Sequence, residues 1–183
     1  MKKVTLLTIN LVIMAAIFCC SKNPTQSTKH EELIPMKVGN YWIYKIYISD
    51  LYHNVINEYL DTLKVTGVSS DDKMFQITSS KQEVLPNGFY KNGSDGFYSE
   101  NSLLFKYPAK VGQTCGGYEI TAVGNSYYYT KNLEIIPGYS RTDLYYQIVP
   151  NLGIYSSYIT LTKSIGEFYN LKVAVRIDCL INP

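Results

Sequence analysis

The segment "LKVAVRIDC" at 171–179 alternates without a break: Leu171, Val173, Val175, Ile177 and Cys179 fall on one face, and Lys172, Ala174, Arg176 and Asp178 on the other. A period of two belongs to a β-strand with one buried and one wetter face. It recurs in "WIYKIYIS" at 42–49, which sets Trp42, Tyr44, Ile46 and Ile48 against Ile43, Lys45, Tyr47 and Ser49. In "YLDTLKVTGV" at 59–68 it sets Tyr59, Leu63 and Val65 against Thr62, Lys64 and Thr66. Turn-forming residues separate such runs: "PNG" at 86–88, "NGSDG" at 92–96, Gly124-Asn125, Pro137-Gly138 and "PNLG" at 150–153. No window carries a capped apolar stripe of helical period. The chain is therefore expected to be all-β: a single antiparallel β-rich domain of about ten strands, built as a curved sheet, half-barrel or sandwich. Those strands fall near 41–49, 57–68, 73–84, 88–91, 96–99, 102–107, 117–130, 133–136, 142–149, 153–162 and 168–180, with one or two merging.

An internal echo divides this domain. "PMKVGNYW" at 35–42 and "PAKVGQTC" at 108–115 share Pro-x-Lys-Val-Gly, an amide residue, one variable residue, then Trp or Cys. Pro fixes φ and Gly permits a sharp bend, so each copy reads as the same turn leading into a strand, and the domain as two related halves.

The N-terminus reads differently. Lys2 and Lys3 precede an apolar run from Val4 to Phe18, broken only by Thr5, Thr8 and Asn10. That is the layout of a secretory signal peptide, and the run is short of the ~20 residues a spanning helix needs. The junction "FCCSKNP" at 18–24 resembles bacterial lipoprotein signals, which place a lipid-accepting cysteine directly after the apolar run. Cys20 fits that position, with Cys19 lost with the signal. Residues 1–19 are thus expected to be a signal peptide and 20–32, "CSKNPTQSTKHEE", a flexible tether too polar to bury. The β-rich domain then covers 33–183. Acylated Cys20 would anchor the chain to a membrane, and Ser21 in place of Asp favours the outer membrane, facing the periplasm or the cell surface.

The segments "PMKVGNYWIYK", "LLFKYPAKVGQTC" and "YYQIVPNLGIYSS" resemble a loosely defined group of uncharacterised, exported bacterial lipoproteins. The resemblance implies an all-β domain and brings no activity and no catalytic residues. Cys115 departs from the aromatic residue expected in the second motif.

Charge argues against a class of partner. Without Lys2 and Lys3, the 17 basic residues fall to 15 against 15 acidic ones, and a net charge near zero with no basic run argues against a nucleic acid, whose binding rests on neutralising phosphates. Cys115 and Cys179 remain for the domain, and an even pair in an oxidising compartment predicts a disulfide rather than a metal site; two buried free thiols are the alternative. No cofactor is implied.

Catalytic signatures are missing from the sequence. The two histidines, His30 and His53, lie in polar segments, and no Gly-x-Ser-x-Gly, His-Glu-x-x-His or phosphate loop occurs. The carboxylates Asp61, Glu83, Glu100, Glu119, Glu134 and Asp143 show no spacing that singles out a pair. Tyrosine is the distinctive residue: 18 of them, all after residue 40. A ring with a hydrogen-bonding tip suits sugar stacking and protein interfaces alike. The expectation is a non-enzymatic binding domain for an amphipathic or glycan ligand, with Tyr127, Tyr129, Tyr145 and Tyr155 as platform residues. The alternative is an envelope scaffold that docks another protein through an exposed sheet edge or aromatic patch.

Overall fold

The computed structural model describes residues 32–50, 52–71, 73–100, 102–133, 141–162 and 168–182. Among them lie twelve strands and no helix: β1 (Tyr41–Ser49), β2 (Val55–Val68), β3 (Phe75–Ser79), β4 (Gly88–Gly93), β5 (Gly96–Ser99) and β6 (Ser102–Lys106). The second set is β7 (Thr114–Cys115), β8 (Tyr118–Val123), β9 (Tyr127–Asn132), β10 (Arg141–Val149), β11 (Gly153–Thr162) and β12 (Phe168–Leu180). They form one antiparallel, nearly closed barrel-like sheet in the order β6-β5-β4-β3-β2-β1-β12-β11-β10-β9-β8-β7. The all-β reading therefore holds, with a barrel as its form.

Several expected boundaries move. The span 117–130 breaks at Gly124-Asn125 into β8 and β9, because the turn outweighs the β propensity on either side. The span 73–84 ends at Ser79, where the chain leaves the sheet. The strand expected at 133–136 falls almost wholly outside the described residues.

Each strand pairs with its sequence neighbour, except that β12 returns to pair β1 and that β6 and β7 share no ladder. This seam is joined through side chains. The Lys106 amide donates to Cys115 Sγ at 3.0 Å, and the Tyr129 hydroxyl donates to the Lys106 carbonyl at 2.6 Å. The ring of Phe105 lies 5.2 Å from Tyr118, 4.9 Å from Tyr129 and 5.2 Å from Tyr146, so aromatic packing bridges the two sheet ends.

The two halves begin alike. In the first motif the Asn40 amide bonds the Lys37 carbonyl at 2.9 Å; in the second the Gln113 amide bonds Lys110 at 3.2 Å. Gly39 (φ +96°) donates to Val65 of β2 at 2.9 Å, and Gly112 (φ +82°) donates to Ile120 of β8 at 2.8 Å. Val65 and Ile120 donate back to Asn40 and Gln113, each at 2.9 Å. Identical turns thus open β1–β6 and β7–β12, and both glycines occupy the left-handed region that their turns require.

Antiparallel alternation gives the barrel two ends. The proximal end carries residues 32–40, the two motif turns, the β10–β11 turn and residues 181–182; the distal end carries the β1–β2 hairpin and the β3–β4 connection. Inside, Trp42, Tyr44, Ile46, Leu63, Val65, Ile77, Tyr90, Phe97, Ile148 and Ile154 are buried. Leu33 and Ile34 close the proximal end, where Asn92 Nδ2 holds the Ile34 carbonyl at 2.8 Å. Val84 and Leu85 plug the distal end, where the Tyr146 hydroxyl donates to the Val84 carbonyl at 2.9 Å.

Candidate functional site

The four tyrosines expected to share a platform do not share one. Tyr129 is fully buried, with its hydroxyl committed to Lys106, and so cannot meet a ligand. Tyr127 lies on the same inner face and meets Tyr107 edge-on at 5.1 Å. Alternation along β9 explains this: two residues apart, both rings turn inward. Tyr145 instead faces outward, stacked on Tyr158 at 4.7 Å and 15° between planes. Tyr155, 41% exposed, also faces outward, with the Arg176 guanidinium 5.5 Å above its ring.

The expected disulfide is also corrected. Cys115 and Cys179 are both free. Along the sheet, four strands separate β7 from β12, and at ~4.8 Å per strand that is far beyond the Cα separation a disulfide spans. Cys115 takes a seam position instead, accepting from Lys106 and donating to the Leu104 carbonyl at 3.5 Å. Burial pushes its thiol pKa up, which outweighs the Lys106 amide.

Two carboxylates that the sequence left unpaired come together at the distal end. Asp61 faces the interior of β2, opposite Tyr44, and is fully buried. It accepts the Lys81 amide at 2.9 Å, the Glu83 amide at 3.0 Å, and the hydroxyls of Ser79 and Ser80 at 2.9 Å. Burial alone pushes its carboxyl up, but these donors outweigh burial and hold it below the usual range. Glu83 bonds Lys172 at 2.6 Å and receives the Tyr59 hydroxyl at 2.5 Å. Burial likewise raises Glu83, and the Lys172 and Tyr59 bonds bring it below its ordinary value. The Tyr59 hydroxyl, desolvated and facing Glu83, is pushed up to about 12.

The hydrogen bonds of the Asp61 side chain go to residues 79–83, so Asp61 pins the distal plug. A shallow depression beside it is lined by Glu83, Lys172, Leu144, Ser157, Tyr158 and Ile159. Its cavity volume of about 30 Å³ is far below the ~300–1,000 Å³ of small-molecule sites.

The outer face holds what the interior lacks. Expected to face the core, Val173 and Val175 instead point outward, because the inner register of β12 passes through Lys172 and Ala174, opposite Ile48 and Ile46. A bulge between Ile43 and Tyr44 then restores Cys179 to the side of Trp42. In cross-strand register, Tyr47, Val173, Tyr158 and Tyr145 form one outward row over β1, β12, β11 and β10, each half-buried.

That row runs into an open sheet edge. β3 pairs β2 only from Leu63 to Val68, and the Thr62–Ser80 bond at 3.1 Å is the last backbone link on that side. Val55 to Glu58 and Leu60 are exposed. Thr62 points its amide and carbonyl toward β3, so Leu60 and Glu58, at the same parity, point theirs the same way. Among the described residues those groups meet no backbone partner. Exposed Val55, Ile56 and Leu60 flank them, 54%, 65% and 53% accessible.

Comparison with known proteins supplies no analogue: no family model matches the chain, and no curated protein does.

Proposed function

We propose that this chain is a non-enzymatic docking protein, held at a bacterial outer membrane by acylated Cys20 and the tether 20–32, that pairs the β2 edge with an extended segment of another envelope protein. The observation that carries this reading is the open edge at Val55–Leu60, lying beside the outward Tyr47–Val173–Tyr158–Tyr145 row on a barrel whose interior is filled. An unpaired strand edge is a template for strand addition: the backbone supplies hydrogen bonds, and flanking apolar side chains supply contact area. The reading agrees with the resemblance to exported lipoproteins, which brings no enzymatic activity. No bond-breaking role is assigned to Asp61 or Glu83, since the plug saturates one and Lys172 pairs the other. A glycan or amphipathic ligand is the weaker reading, because the outward rings of Tyr145 and Tyr155 are already engaged by Tyr158 and Arg176.

The test is photo-crosslinking in cells with a crosslinkable residue at position 60. A discrete protein adduct is expected at 60, absent when the same residue replaces exposed Ile177. Glu58→Pro, which removes an outward amide together with the exposed Lys45–Glu58 ion pair, should abolish the adduct while lowering the melting temperature only slightly. No adduct at 60, or one indifferent to Glu58→Pro, would overturn the proposal.

A further inference from the structure

Exposed aliphatic side chains gather at one end of the barrel. At the proximal rim stand Val38, Val68, Val111, Val123, Leu152 and Leu180, each at least 40% accessible. Val38 and Val111 are the corresponding residues of the two motif turns. Val68 and Val123 end β2 and β8, each three residues beyond the strand position that its motif glycine grips, Val65 or Ile120. Leu152 tips the β10–β11 turn and Leu180 ends β12. The rim is thus apolar in equivalent places in both halves. At the distal end the exposed apolar residues are fewer: Tyr52, Val55 and Ile56 on the β1–β2 hairpin, and Phe89 at the start of β4.

A second observation says what covers this rim. Glu32, where the described chain begins, is fastened there: its amide donates to Asn151 Oδ1 at 3.0 Å, and the Asn151 amide donates to the Glu32 carbonyl at 2.7 Å. Asn151 directly precedes Leu152. Twelve residues lead from Cys20 to Glu32. Such a segment spans at most ~40 Å when fully extended, and about 20 Å as a coil. The tether therefore leaves the barrel from its proximal end, so a lipid on Cys20 would be joined to the barrel through this rim.

We propose that the proximal rim is a membrane-contact surface, its aliphatic residues seated at the boundary between headgroups and acyl chains of the bilayer that holds Cys20. The inference rests on the lipid-anchor reading and deepens it. Lys110, adjacent in sequence to Val111, can lay its stem along that boundary with the ammonium group among the headgroups. Seated this way, the barrel carries the β2 edge toward the distal side, away from the membrane.

The experiment uses the acylated full chain on phosphatidylcholine vesicles with brominated acyl chains, which quench nearby tryptophan. Trp42 is the single native tryptophan, and V111W and Y52W each add one at a position 60% or 84% exposed. The emission added by V111W should fall about twofold or more relative to unbrominated vesicles, and that added by Y52W should hold nearly constant. Equal quenching of both variants, or stronger quenching of Y52W, would overturn the rim contact while leaving the anchor intact. Protein that fails to float with the vesicles would instead remove the anchor itself, and the rim contact with it.

Discussion

Gly112 donates its amide to the Ile120 carbonyl at 2.8 Å, just as Gly39 donates to Val65 at 2.9 Å one half-barrel away. This shared contact makes the repeated Pro-x-Lys-Val-Gly a structural device: it folds the chain back on the second strand of each half and sets the first strand beside it. The halves then diverge in length. β1 and β2 run nine and fourteen residues, whereas β7 has two and β8 six. The short β7 leaves the seam to side chains, and the long β2 outruns β3 to leave an open edge.

The glycines of the second half should not tolerate alanine equally. At Gly112 an added Cβ meets nothing within 4 Å, so Gly112→Ala carries only the positive-φ strain, about 1–2 kcal/mol. At Gly116 (φ +55°) the Cβ would lie 2.6 Å from the Leu103 carbonyl and 3.0 Å from that of Leu104, forcing the seam apart. Denaturant unfolding should show Gly116→Ala losing roughly twice as much stability or more. Equal losses would mean that the seam yields freely.

Asp61 and Glu83 both titrate below their ordinary range in the folded barrel. A carboxyl depressed by folding contributes stability that is fully present above its unfolded pKa, near 4, and is lost as pH falls through the lower folded value. Melting temperature should therefore hold from pH 7 to about 5 and drop below about 4. Asp61→Asn should lower the neutral plateau, by about 3 kcal/mol for the lost charged hydrogen bonds, and make the acid decline shallower. An acid decline as steep in Asp61→Asn as in the wild type would remove Asp61 from its role as the pin of the plug.

How far the sequence reveals this fold depends on what fills each face. Trp42, Tyr44 and Ile46 of β1, and Leu63 and Val65 of β2, face inward as their alternation predicts. β12 misleads: its more apolar face, Val173 and Val175, is the outer one, and Lys172 turns inward to meet Glu83 from a plug that no local pattern announces. The Asp61–Glu83 pairing is equally hidden, since it depends on residues 79–87 folding back over the barrel end. A run of Ser79, Ser80 and Lys81, with no alternation after Ser79, was the one local sign that the strand stops there. The outward Tyr47–Tyr145 row requires the register of four strands, which alternation within one strand does not encode.

The two thiols offer a direct check on the seam. Non-reducing peptide mapping of exported protein should find Cys115 and Cys179 unlinked. Cys115→Ala would leave the buried side of the Lys106 amide without its partner, at a cost of about 1–3 kcal/mol. A Cys115–Cys179 crosslink in native protein would contradict the strand order.

Anchoring can be read separately from folding. Metabolic labelling with a fatty-acid probe should tag the wild type and fail with Cys20→Ala, while the barrel's melting temperature stays the same. Persistent labelling of Cys20→Ala would place the lipid elsewhere.

The open β2 edge is the central claim, and residue-resolved hydrogen exchange of the isolated protein tests it most directly. The amides of Glu58 and Leu60, turned away from β1, should exchange freely, whereas those of Tyr59 and Asp61, turned toward β1, should be protected, giving a strict alternation over four consecutive residues. Uniform protection from Glu58 to Asp61 would mean that the edge is already occupied, and the docking account would fail.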